Sequence, residues 1–230
     1  MSFGALAALV TVLVALVMAV GFARQHASRH RPYQLWWALA FLSTALAAAM
    51  QFIGFLGHAF SPFDYRLYIL FSAAVPGVMG AGSMFLLWTR WAWYYTVIVL
   101  VFILLTAVGA FSATLNPAAL SNVMNASQAV THVTTSVLIV LGYAVLGTIG
   151  AAALVLGAIW SWWRTRYIYN LGIALGGIVF SLADTLAAYG VVAIFFLAQI
   201  LGIVLLYWAV ERSRVPESRR RSAKASAANP

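Results

Sequence analysis

The chain has 230 residues, 64% of them hydrophobic and 7% charged, with a mean hydropathy of +0.97, far from the roughly 25% charged residues of a soluble domain. That composition excludes a water-soluble fold, and the absence of cysteine excludes disulfides, thiolate metal centres and thiol catalysis. The formal charge of +9 is gathered at the ends of apolar stretches and in the C-terminal tail, as topology determinants are; the extended basic surface that nucleic acid requires is missing, so no nucleic-acid partner is expected.

In lipid every backbone polar group must be paired within the protein, which leaves helix bundles and closed barrels. Runs such as Val97 to Leu105 are apolar all round and lack the period-two alternation of barrel strands. The expected fold is therefore all-α, a polytopic bundle of seven transmembrane helices over residues 3–22, 34–57, 66–88, 92–112, 134–159, 167–188 and 191–210. Each is near the roughly 20 residues that a bilayer core requires. Residues 1–211 form the transmembrane domain, and residues 212–230, rich in Arg, Ser and Ala, read as a basic disordered cytoplasmic tail.

The first stretch, Phe3 to Phe22, lacks a basic n-region and a small-residue cleavage site before Arg24. It reads as a permanent helix rather than a signal peptide. His26 and His30 follow, four apart and among arginines that disfavour a metal cation. Arg31-Pro32 then precedes the second helix, in which Gln51 is the main polar residue. The third helix begins near Arg66 and carries Pro76, Gly77, Gly80 and Gly82, a small-residue segment that permits a kink.

The long connection from about Ala113 to Val133 has no acidic or basic residue apart from His132. It is long enough for a short interfacial helix or a cap over the bundle, and Asn125, Ala126 and Ser127 form a formal glycosylation triplet. His58 and His132 lie in external connections, where loop histidines are far commoner than haem ligands. In the sixth helix Asn170, Gly177, Ser181 and Asp184 share one face, and Gly172 and Gly176 form a G-x-x-x-G step suited to close packing. Gln199 lies nearer mid-bilayer on the seventh.

Placing the first connection in the cytoplasm puts every basic residue inside except Arg66. This bias specifies N-terminus out and C-terminus in. All nine tryptophans fall at the cytoplasmic helix ends, as an anchoring belt does. Helices 1 to 3 and 5 to 7 run in matching directions around helix 4, a 3+1+3 parallel repeat; an offset of 133 residues sets Arg31 on Arg164, Gln51 on Asp184 and Gly57 on Gly190.

An intramembrane carboxyl is costly to ionise, so Asp184 marks the place to look for function. The expected site is a polar cavity near the outer ends of helices 2, 3 and 6, drawn from Gln51, Arg66, His132, Asn170, Ser181, Asp184 and Gln199. Arg66 lies at a depth from which it could neutralise Asp184. No catalytic constellation, metal cluster or cofactor is implied, so the chain is not expected to be an enzyme. The only lysine, Lys224, is in the tail, which excludes retinal attachment through a Schiff base, and the likeness to sugar-transporting SWEET proteins is one of layout.

Arg31-Pro32, the start of helix 2 at Trp36, the stretch Tyr65-Arg66-Leu67-Tyr68 and the later glycines of helix 3 resemble uncharacterised seven-helix integral membrane proteins of bacteria. That resemblance implies fold and topology and contributes no activity or binding residues; the expected location is the cell inner or plasma membrane, as a multi-pass protein. The functions to weigh are small-molecule or ion transport or binding; an accessory role beside a membrane partner subunit; and a non-retinal sensor.

Overall fold

The computed structural model describes residues 2–124, 130–188 and 192–214; the side chains of 180–188, 192–194, 196, 210, 211, 213 and 214 lie outside that description. The described residues form helices and no strands: α1 (Phe3–Arg29), α2 (Pro32–Gly57), α3 (Pro62–Leu87), α4 (Thr89–Ser112), the single turns α5 (Pro117–Leu120) and α6 (Val130–Val133), then α7 (Val137–Thr165), α8 (Ile168–Ala188) and α9 (Val192–Arg214). Among these, α1, α2, α3, α4 and α7 are long and apolar enough to cross a membrane, and α8 and α9 contain the shorter apolar stretches Ile168–Val179 and Leu197–Ala209.

Local chemistry explains the boundaries. Ser2 and Ser61 cap α1 and α3 by accepting the amides of Ala5 (3.2 Å) and Asp64 (3.1 Å), and Pro32 and Pro62 occupy first-turn positions where no amide is needed. The Ser61 hydroxyl also donates to the Asp64 carboxylate (2.6 Å). At their C-terminal ends α1, α2 and α7 stop on His30, His58 and Arg166, all left-handed, with φ of 50°, 59° and 57°. A left-handed residue turns the chain out of the helix.

Several ends differ from the apolar spans. α1 continues to Arg29 and α7 to Thr165, well beyond Phe22 and Ile159, because charge ends an apolar run without ending a helix. α3 starts at Pro62, four residues before Arg66, because its cap is Ser61. Among its described residues the long connection holds the short helices α5 and α6; it meets the α2–α3 loop where the Phe60 amide donates to the Leu120 carbonyl (3.1 Å), and it closes on itself where the Asn116 amide donates to the Val133 carbonyl (2.9 Å). Residues 125–129, with the Asn125 triplet, and 215–230, most of the tail, lie outside the described residues.

The long helices form a ring in the order α1, α2, α3, α7, α8, α9, closed by a lighter contact from α9 back to α1, while α4 packs outside against α3 and α7. In its most apolar stretch α3 is 67% buried and α4 only 28%. α3 is thus the central element; α7 is also only 28% buried in its most apolar stretch, and α4 is the peripheral helix because it packs mainly on α3 and α7. The α3–α7 seam is the closest: a side chain on Gly150 would collide with the backbone of Pro76, and one on Gly77 with Leu146.

Aromatic rings gather at the end of the bundle where α3 stops and α4 starts: Trp36 stacks on Phe85, Trp93 meets Phe85 edge-on, and Trp88 and Trp163 both pack on Trp160. Trp37 departs from the expected belt. It is 3% exposed and lies between Phe22 and Phe41, over the space that Gly82 leaves open by lacking a side chain.

Candidate functional site

The polar residues of the apolar core fall into two groups. Thr11, Thr44 and Thr106 donate to carbonyls four residues back in their own helices (2.9, 3.0 and 2.7 Å), which satisfies them locally and leaves them inert. Ser83 does the same to the Met79 carbonyl (3.3 Å), and Thr134 accepts the nearby Ser136 amide (3.2 Å); Gln51 and Asn170 reach between helices, and Gln34 and Thr96 find no side-chain partner among the described residues.

A line of such groups crosses the bundle through the first half of α3. Gln51, 3% exposed on α2, donates from Nε2 to the Tyr68 hydroxyl at 3.5 Å. One turn on, the Ser72 hydroxyl donates to the Tyr68 carbonyl (2.7 Å) and meets the hydroxyl of Tyr143 on α7. Pro76 follows directly. Having no amide, it leaves the Ser72 carbonyl without its helical donor, so this polar crossing sits at the weak point of α3. Beyond it the Tyr95 hydroxyl of α4 donates to the Gly77 carbonyl (3.4 Å).

The end of this line is covered by rings. Tyr65, Tyr68 and Phe60 pack mutually with centroids 5.4 to 6.0 Å apart, and Val123 of the long connection fills the space over Gly54. The Tyr65 hydroxyl has no hydrogen-bond partner among the described residues, and neither has Arg66 Nε. Arg66 turns its Nη2 towards the Ala113 carbonyl at the end of α4 (3.4 Å).

The residues expected to form the cavity are placed as follows. Gln51 and Arg66 lie at the end of the bundle where α3 begins. His132 is exposed on α6. Gln199 is half-buried on α9, its Oε1 without a partner among the described residues. Asn170 is 3% exposed and donates to the Thr165 hydroxyl (3.0 Å), at the opposite end of the bundle, beyond the point where Gly157 of α7 meets Leu87 at the end of α3. Ser181 and Asp184 fall within α8, and their side chains, with any contact to Arg66, lie outside the described residues. Gly177 packs on Leu154, while Gly172 and Gly176 lie against Ala209 and Leu206, so the G-x-x-x-G step seats α9.

The histidines of the first connections have structural work. His26 donates through Nδ1 to the Arg31 carbonyl (3.0 Å), and His30 and His58 end helices. Sequence reasoning assigns no site role to Gln34, Ser72, Tyr95 and Tyr143, and it marks Tyr65 and Tyr68 only as part of a family-like stretch. Gln34 is fully buried, with neither amide atom partnered among the described residues; its one signal was an amide next to an N-terminal proline in an apolar helix. No family model, curated protein or solved structure matches the chain.

Proposed function

We propose that the chain is a seven-helix integral membrane protein, N-terminus out and C-terminus in, in which two three-helix repeats joined by α4 bind or transport a small polar solute or an ion between them. The repeat rests on the two hairpins. α1 ends at Arg29, a left-handed His30 donates its amide to the His26 carbonyl (2.7 Å), and α2 begins two residues later. α7 ends at Thr165, a left-handed Arg166 donates to the Trp162 carbonyl (2.6 Å), and α8 begins two residues later.

These landmarks are 136 residues apart, three more than the offset that aligns Gln51 with Asp184. In the new register Tyr33, Leu35, Ala38, Leu39, Leu46 and Ala47 meet identical residues at 169, 171, 174, 175, 182 and 183, and Gln34 meets Asn170. The neighbour order supports the same reading: exchanging α1, α2 and α3 with α7, α8 and α9 leaves the ring unchanged.

Transport or binding is carried by one observation. Buried polar atoms without partners among the described residues occur near one end of the bundle (Tyr65 Oη, Arg66 Nε), within α9 (Gln199 Oε1), near the other end (both amide atoms of Gln34) and on the outer helix α4 (Thr96 Oγ1). Each costs about 1–3 kcal/mol if left dry, so water or a polar solute between the halves is the economical account. Asp184, one face along from Asn170, is the group suited to carry a proton or hold a cation. In liposomes loaded with a pH-sensitive dye, Asp184→Asn should lower proton flux at least tenfold while the protein's melting temperature holds. Equal flux in the variant, together with no thermal shift of the wild type across ions, pH and metabolites, would remove the transport reading.

An accessory subunit is the second reading. Ala144, Gly147, Thr148 and Ala151 form a small, partly exposed face of α7 on which a side chain at Gly147 would meet nothing, the surface a neighbouring helix can approach closely. Gly147→Leu should then release a co-purifying partner.

A further inference from the structure

We propose that the groove between α1 and α9 is a binding site for an anionic phospholipid, which lays an acyl chain along Gly21 and sets its phosphate against Arg24. The groove holds about 450 Å³ and is lined by Leu16, Val17, Val20, Gly21 and Tyr207, with Arg24 at one end and Met18 and Phe22 among its walls. Val17, Gly21 and Arg24 are four and three residues apart and so share one face of α1. Met18 and Phe22 are 3% exposed and belong to the core, whereas Val17 is 66% exposed; the groove opens to the lipid side.

What fills it is indicated by the other half of the molecule. In the repeat register Gly21 corresponds to Gly157. A Cβ placed on Gly157 lies 2.5 Å from Leu87 Cδ1, because the α3 leucine occupies that slot, whereas a Cβ on Gly21 meets nothing within 4 Å. The same notch is filled by a branched aliphatic chain at the α3–α7 seam and open at the α1–α9 seam. An acyl chain supplies the missing hydrocarbon.

Charge selects the headgroup. Arg24 is exposed, one helical turn from Gly21, and a guanidinium pairs bidentately with phosphate oxygens. Arg212 stands over Trp208 at 5.1 Å, five residues past the lining residue Tyr207, and adds positive potential at the same end. A zwitterionic lipid would place its own cation beside these groups. An anionic one does not.

The lipid site does not depend on transport, and only the Gly21–Gly157 comparison rests on the repeat. The test is native mass spectrometry of the detergent-purified full chain with dioleoyl phosphatidylglycerol or dioleoyl phosphatidylcholine, each variant first checked by thermal melting. Wild type should retain phosphatidylglycerol in preference to phosphatidylcholine. Arg24→Gln should bind it roughly fivefold more weakly, the effect of one basic residue near a membrane surface. Gly21→Leu should abolish retention, and Gly57→Leu, equally open but at the end of α2, should leave it unchanged.

Should Gly21→Leu fail to fold, Val17→Trp blocks the groove from its exposed wall and carries the same expectation. Equal retention of the two lipids by wild type, or full retention by both Arg24→Gln and the groove-filling variant, would overturn the site. So would competition by soluble glycerol phosphate, because the acyl chain would then contribute nothing. Wild-type selectivity with no loss in Gly57→Leu stands whether or not Asp184→Asn alters flux.

Discussion

His58 shows how a single residue sets both geometry and cost. It ends α2 with a φ of 59°, a conformation that costs an L residue roughly 1–2 kcal/mol and glycine almost nothing. His58→Gly should therefore raise unfolding free energy by about 1 kcal/mol, read in denaturant melts, with no change in helix content. The Ser72–Tyr143 contact is the converse case, a polar link that joins two helices. Because hydroxyl pairs in membrane bundles couple by about 0.6 kcal/mol on average, a double-mutant cycle of Ser72→Ala and Tyr143→Phe should return a coupling of that size. A coupling of zero would mean that the two hydroxyls share only space. Gln51 and Arg66 were visible in the sequence because amides and charges are rare in apolar stretches. Ser72 and Tyr143 were not, since hydroxyls are common there and their meeting depends on how α3 and α7 rotate against each other, which no spacing along one helix encodes.

At the level of the helices, the α3–α7 seam is held by the absence of side chains. Gly150 lies on the backbone of Pro76 and Gly80 beneath the Tyr95 hydroxyl, so two main chains approach closely just where α3 lacks a helical hydrogen bond. Gly150→Leu should destabilise the protein by roughly 1–3 kcal/mol, the usual cost of overpacking. Gly21→Ala, with nothing near its Cβ, should be neutral or slightly stabilising, since alanine is the better helix former. Thermal melts of the pair separate the two roles of glycine. The sequence located the apolar cores of the helices well, because hydropathy reports the thickness of the bilayer. It missed the extensions to Arg29 and Thr165 and the start at Pro62, because those ends are set by caps and by αL residues lying outside the hydrocarbon. Trp37 was misread for a related reason: its place in the core depends on Gly82, which is 45 residues away and on another helix.

For the molecule as a whole, topology is directly testable because the chain contains no cysteine. Ser121→Cys and Ser28→Cys each place one thiol at an exposed position, at opposite ends of the bundle. In intact cells a membrane-impermeant thiol reagent should label the first and spare the second until the membrane is broken. The reverse pattern would invert the orientation read from the arginines. The order of helices around the ring has a mechanical consequence. Two seams join the proposed halves, α3 against α7 and α9 against α1, and only the first is braced from outside by α4. A loop clasped on one side alone has a spine and a fore-edge, like a bound book, so if the proposed halves part, they should part along α1 and α9 and pivot on the glycines beneath α4.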